Sequence, residues 1–211
     1  MHALIVLGGD APGAALLRRC AQEADFVIAA DRGLACFEPA GIEPDLLVGD
    51  MDSVPPQVLA RYADHLPLRR LNCIKDDTDG VDAMDEAIVR GANRITFLGA
   101  LGGRLDHALA NLMLLVRAAQ RGVFARILDE HVSIVRVDGE CVIENAVGDT
   151  VSVLPLGSAQ GVTLTGFFYP LENHTLTSAH PLGVSNVVTQ ERAVVRAETG
   201  DLLVFHHRGG V

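Results

Sequence analysis

Apolar residues in the first half of the chain come in short runs, unbroken at 3–7, 26–30 and 46–48 and interrupted only by Thr96 at 95–98. Runs this short and without alternation predict strands covered on both faces. Each stops at glycine or aspartate: Gly8-Gly9-Asp10, Asp31-Arg32-Gly33, Gly49-Asp50 and Gly99. Between them the apolar period lengthens to that of a helix. Residues 12–23 carry Leu16, Leu17 and Cys20 on one stripe, and a helix ending near Arg90 carries Val81, Met84 and Ile88. Another, ending near Arg121 before Gly122, places Leu109, Leu112, Met113 and Val116 on its expected buried stripe. Residues 55–64 read as a short helix and 66–71 as a further strand. Strand and helix in alternation predict an α/β domain built on a mostly parallel sheet.

Beyond about residue 124 the helical period stops. Short β-branched runs follow at 125–128, 132–137, 141–143, 150–154, 161–165, 187–189, 193–197 and 202–206. Asp138-Gly139, Gly148-Asp149 and Gly200-Asp201 supply turns between them. Close spacing of this kind predicts an antiparallel sandwich. The expected organisation is an N-terminal α/β domain at 1–124 followed by an all-β sandwich domain at 125–211.

Ligands of parallel sheets collect beyond the carboxyl ends of the strands. Asp10, Asp31, Asp50 and Asp52 are all expected at that edge, more acids than solubility requires. Asp50 and Asp52 stand one residue apart after a buried strand, and on an extended chain they point to the same side. Two such carboxylates repel unless a hard divalent cation separates them. The competing reading is a pair of acidic turn residues. A second cluster, Asp76, Asp77, Asp79 and Asp82, precedes a helix. Asp79 suits its cap and Asp82 its first turn, yet four acids exceed what a cap needs, so at least one is expected near a metal or phosphate. Gly102-Gly103-Arg104, before the next helix, combines backbone N–H donors with a guanidinium fork and so suits an anion. The Gly8-Gly9 loop is a weaker form of the same device. Asp106 reads equally as a helix N-cap, and His107 as a packed helix residue. In the second domain Ser185 and Asn186 suit either hydrogen bonding to a heterocycle, with the aromatics of Phe167-Phe168-Tyr169 packed on it, or ordinary turns.

Composition narrows the classes. A net charge of −10, from 27 acids and 17 bases, argues against a nucleic-acid groove, although local bases and a metal still admit a nucleotide. Hydrophobic residues at 49% provide for a packed core. The cysteines are scattered without a C-x-x-C pair, which argues against a zinc site or disulfide framework and for the reducing cytoplasm. The apolar run at 4–7 is too short for a signal-peptide core, and nothing approaches a membrane span.

Several segments taken together carry a family resemblance. They are Ala30-Asp31-Arg32-Gly33, Gly49-Asp50-Met51-Asp52-Ser53, Lys75-Asp76-Asp77-Thr78-Asp79 and Leu98-Gly99-Ala100-Leu101-Gly102-Gly103-Arg104-Leu105-Asp106-His107 with Asn111. Tyr169-Pro170-Leu171 and Gly183 with Ser185-Asn186 continue the series. In this order, across nearly the whole chain, they resemble the bacterial thiamine pyrophosphokinases. The resemblance implies transfer of a diphosphoryl group from ATP to the hydroxyl of thiamine, giving thiamine diphosphate and AMP, with magnesium as cofactor. It also implies a homodimer that holds thiamine between the α/β domain of one subunit and the sandwich of the other. By motif it implies Asp50, Asp52 and Asp79 as the metal-site acids, with Asp31 close by. Gly9, Asp10, Asp31, Gly102, Gly103 and Arg104 fall to the nucleotide, and Asp31, Gly183, Ser185 and Asn186 to thiamine. Asp52, Asp79, Arg104 and Asp106 form the implied catalytic set, with Asp79 or Asp106 taking the hydroxyl proton. One position departs: Val81 stands where the family often has Glu. The adjacent Asp82 lies about 100° around the helix and does not replace it. Two alternatives use the same residues, a metal-dependent phosphohydrolase of a nucleotide and a non-catalytic thiamine or nucleotide sensor.

Overall fold

The computed structural model describes residues 1–62, 65–70, 78–180 and 182–209. The chain divides into two compact units, Met1–Glu130 and His131–Val211. In the first, the elements are β1 (His2–Val6), α1 (Ala14–Glu23), β2 (Phe26–Ala30), a 3-10 turn (Asp31–Cys36), α2 (Phe37–Ala40), β3 (Leu46–Gly49) and α3 (Pro56–Tyr62). They continue with β4 (Leu68–Arg70), α4 (Asp79–Val89), β5 (Arg94–Leu98), α5 (Leu105–Gln120) and β6 (Phe124–Leu128). The strands form one parallel sheet in the order β4-β3-β2-β1-β5-β6. β1 is buried along its whole length, as its unbroken apolar run requires. The strand order reverses at β1, with β2 on one side and β5 on the other, and such a reversal opens a crevice at the carboxyl edge.

Three sequence expectations change here. The run at 125–128, expected in the sandwich, is instead β6, which pairs in parallel with β5 (Ile95↔Ala125), and the first unit extends to Glu130. A short apolar run carries no mark of its strand direction; its neighbour decides. On α5 the buried residues are Leu114, Leu115 and Ala118. Leu109 and Met113, expected inside, are exposed, Leu109 at 58%, and Leu105 ahead of them is 86% exposed. Apolar residues occur on more than one side of this helix, so periodicity alone allows more than one buried stripe. At the helix starts, Thr78 and not Asp79 holds the N-cap position of α4, and Arg104 and not Asp106 that of α5. The cluster acids Asp76 and Asp77, with Lys75, lie outside the described residues, as do Leu71, Asp64 and Cys73.

The second unit is all β: β7 (Val132–Arg136), β8 (Glu140–Glu144), β9 (Thr150–Thr165), β10 (Leu171–Thr177), β11 (Gly183–Val187), β12 (Arg192–Arg196) and β13 (Thr199–His207). All its pairings are antiparallel, in the order β7-β13-β9-β12-β8, with β10 and β11 also on β9. β9 is a single 16-residue strand where the residue pattern reads two. The polar middle stays extended because β10 and β13 pair with it (Leu176↔Ala159, Thr199↔Gln160), each with a register shift beside that pairing. Phe167 belongs to the core with Val162, Leu164 and Val195, whereas Phe168 and Tyr169 face outward. No described helix is long and apolar enough to cross a membrane.

Candidate active site

The first unit carries a cavity of about 710 Å³ at the carboxyl edge of its sheet. The loop after β1 supplies Gly8 and Gly9; the chain after β2 supplies Asp31 and Arg32; the chain after β3 supplies Asp50, Asp52 and Ser53. Thr78, Asp79, Gly80 and Asp82 come from the start of α4, and Gly102, Gly103, Arg104, His107 and Asn111 from the start of α5. Five carboxylates thus face two guanidinium groups, so a polyphosphate needs added positive charge to enter.

One oxygen from each of Asp31, Asp50 and Asp52 lies within 4.8 Å of the others. Local geometry explains how residues from two strands meet. Asp31 (φ 46) and Met51 (φ 67) occupy the left-handed region, sparse for side-chain-bearing residues, and the chain folds back at each strand end. The Asp52 N–H donates to Asp50 Oδ1 at 3.0 Å, and the Ser53 hydroxyl donates to Asp31 Oδ2. Asp31 Oδ1 is buried, and no described residue donates to it. The negative charge of Asp50 raises the Asp52 carboxyl above its ordinary range, with Asp31 adding to the effect. Asp79 is raised to about 6, first by burial and then by the charges of Asp31, Asp50, Asp82 and Asp52. Repulsion of this kind, an orphaned buried oxygen and an all-oxygen donor set fit a hard divalent cation.

Other parts of the same lining suit anions. Both α4 and α5 present their N-terminal turns to the cavity, where free N–H groups and the helix dipole favour negative charge. Gly102 (φ 79) admits no side chain: a Cβ there would lie 1.9 Å from the Asp10 carboxyl carbon. Asp10 therefore packs against the glycine turn and is not a cavity-lining residue. The loops after β1 and β5 are joined by Gly9 N–H to Gly99 O at 2.8 Å and Asp10 N–H to Leu101 O at 2.7 Å. Asn111 Nδ2 braces the same turn by donating to Ala100 O at 2.8 Å. Arg104 reaches Asp106 with Nε at 3.1 Å and Nη2 at 2.5 Å. These bonds from Arg104 hold the exposed Asp106 carboxyl down at about 2.

Of the residues singled out in the sequence, Asp31, Asp50, Asp52, Asp79, Gly9, Gly102, Gly103 and Arg104 line the cavity, whereas Asp106 and Asp10 do not. Asp31, and not Asp79, completes the close trio with Asp50 and Asp52. The residue pattern assigns Arg32 and Ser53 no role and His107 a packed one, yet all three line the cavity. Their positions inside the quoted motifs are the available signal. Gly183, Ser185 and Asn186 belong to the second unit, on β11.

Two family models match the chain in sequence. The model described as thiamin pyrophosphokinase, catalytic domain, matches residues 17–127. The one described as thiamin pyrophosphokinase, vitamin B1 binding domain, matches residues 130–203. The chain belongs to the thiamine pyrophosphokinase family. The Bacillus subtilis thiamine pyrophosphokinase is 31% identical over 205 residues, covering 95% of this chain and 96% of that protein. The crystal structure of thiamine pyrophosphokinase from Bacillus subtilis superposes with a TM-score of 0.85 at 28% identity, covering 99% of each chain. That from Geobacillus thermodenitrificans gives 0.84 at 30% identity, covering 98% of this chain and 97% of the other. As a thiamine pyrophosphokinase by family, the chain is an enzyme of the diphosphotransferase class that uses ATP as co-substrate.

Proposed function

We propose that this chain transfers a diphosphoryl group from ATP to the hydroxyl of thiamine, releasing AMP, in the cavity of its first unit. The observation that carries the reading is one cavity lined by three clustered carboxylates, two helix N-termini and Arg104. In the reaction the thiamine oxygen bonds to the β-phosphorus of ATP. The bridging oxygen between the α- and β-phosphorus leaves with AMP, and the hydroxyl proton passes to a carboxylate.

Asp31, Asp50 and Asp52 would hold a magnesium ion. Bound there, it supplies the positive charge that the phosphate oxygens need as charge shifts in the transition state. The helix N-termini and the Gly102-Gly103 turn bind and orient the phosphates, and Arg104 adds a fixed cation whose direction Asp106 controls. Of the two carboxylates considered for the hydroxyl proton, Asp79 lines the cavity. Asp106 does not, and its charge is already committed to Arg104. Asp79 is therefore the acceptor. In the second unit Phe168 and Tyr169, 64% and 63% exposed and edge-to-face at 4.8 Å, offer aromatic surface to the flat rings of thiamine, of which the thiazolium is cationic.

The active form proposed is a homodimer with shared sites. It is supported by the exposed stripe Leu105, Leu109 and Met113 on α5, the same helix that brings His107 and Asn111 to the cavity. The test of the reaction is direct: protein, ATP, magnesium and thiamine together, with AMP and thiamine diphosphate measured. AMP is expected only when all components are present. Inorganic phosphate formed without thiamine dependence would indicate the phosphohydrolase, and thiamine binding without turnover the sensor.

A further inference from the structure

β11 is irregular where its sequence drew attention. Gly183 pairs with Val153 and Asn186 with Val151, so the β11 side holds one extra residue, a bulge that turns the chain. Gly183 admits this close pairing because a Cβ there would meet the Val153 side chain at 2.0 Å. Ser185 takes up the turn in the left-handed region (φ 56), and its N–H donates to Ser152 Oγ at 3.0 Å. The consequence falls on the next residue. Asn186 is directed inward and is 3% exposed.

Its side-chain amide is largely committed. Oδ1 accepts from Tyr169 N–H at 3.0 Å and from Val187 N–H at 3.0 Å, while Nδ2 donates to Tyr169 O at 2.7 Å. An amide side chain offers two donor hydrogens and a carbonyl oxygen, so one hydrogen is what remains for anything else. Tyr169 precedes Pro170 and the start of β10. Phe168, before it, is held by its own N–H to Val187 O at 2.9 Å. The Asn186 amide therefore takes the place of a neighbouring strand at Tyr169, satisfying both its backbone groups.

We propose that Asn186 is a positioning residue for thiamine: it acts by fixing the exposed Phe168–Tyr169 aromatic step and not by touching the substrate. This rests on the assignment of that step to the thiamine site. Loss of the clamp frees the aromatic segment, and thiamine must then order it on binding. The nucleotide cavity, built wholly in the first unit, is unaffected.

The test is a mutant cycle of Asn186→Ala against the pair Phe168→Ala/Tyr169→Ala, read by steady-state kinetics against thiamine and against ATP. Losing several hydrogen bonds to one segment should raise KM for thiamine about tenfold in Asn186→Ala. KM for ATP should stay within about twofold. In the Phe168→Ala/Tyr169→Ala background the further effect of Asn186→Ala should fall below about twofold, because both rings that it positions are gone. Independent tenfold effects would mean that Asn186 contacts thiamine itself, and an unchanged KM for thiamine would remove its role altogether; either overturns the proposal. Asn186→Asp keeps both acceptor bonds and loses the donor to Tyr169 O, so it should fold and still raise KM for thiamine. Calorimetric titration with thiamine reads the same cycle without turnover. A wild-type protein that binds thiamine but does not react refutes the reaction and leaves the clamp measurable; one that does not bind thiamine refutes both.

Discussion

Asp79→Asn should make the metal-free protein more stable while nearly abolishing its activity. The carboxyl is raised from 3.8 to about 6 by burial and by four neighbouring acids. A group whose pKa is raised on folding holds its proton more tightly in the native state. Ionised Asp79 thus opposes folding: the penalty is fully present above about 6 and is relieved as pH falls from there toward 3.8. A tenfold change in proton affinity on folding is worth about 1.4 kcal/mol, so a rise from 3.8 to about 6 would correspond to about 3 kcal/mol. The side chain is half-exposed and water screens its neighbours, which leaves on the order of 1 kcal/mol. Asparagine keeps the shape without the charge. In EDTA at about pH 7.5 the variant should melt about 2–4 °C above wild type, and the gap should shrink to about a third by about pH 4.5 and close below about 3.8. Saturating magnesium should narrow the gap at neutral pH as well, since a bound cation offsets the same repulsion. Turnover should fall by about 10²-fold or more if Asp79 takes the hydroxyl proton. An absent gap in EDTA, or a gap as large in acid as at neutral pH, would refute the electrostatic account. Near-normal turnover would refute the catalytic one.

Three further outcomes follow from the same site and from α5. Asp52→Asn should lower turnover by orders of magnitude and reduce the magnesium-induced rise in melting temperature, with an unchanged circular dichroism spectrum; normal magnesium-dependent activity would remove Asp52 from the metal trio. Ser53→Ala frees the Asp31 carboxylate from its hydroxyl donor, so calorimetry should show magnesium affinity about tenfold weaker, with Ser53→Thr restoring it. Leu109→Glu places a charge on the exposed stripe of α5; light scattering should show a dimer in the wild type and a monomer in the variant, and a wild-type monomer at micromolar concentration would end the dimer proposal.

Short-range chemistry was legible in the residues themselves. Strands buried on both faces are nearly continuous apolar runs, and β1, β2, β3 and, with Thr96 as its one buried polar residue, β5 announce themselves that way. The acids at their ends and the Gly102-Gly103-Arg104 turn are readable because strand-end loops in such sheets face ligands. Tertiary structure decided whatever depends on partners distant in the chain. Asp31 joins Asp50 and Asp52 because β2 lies beside β3 in the sheet and both chains turn left-handed at their ends. The residues at 124–128 became a parallel strand because β5 had a free edge for them. The buried side of α5 was chosen by the surface it packs on, since its own sequence is apolar on several sides. Asn186 shows the limit most plainly. As a residue type beside a serine it suits a turn or a ligand, and its amide is committed to a backbone 17 residues away. Hydrogen bonding is a relation between two groups, and a sequence names only one of them at a time.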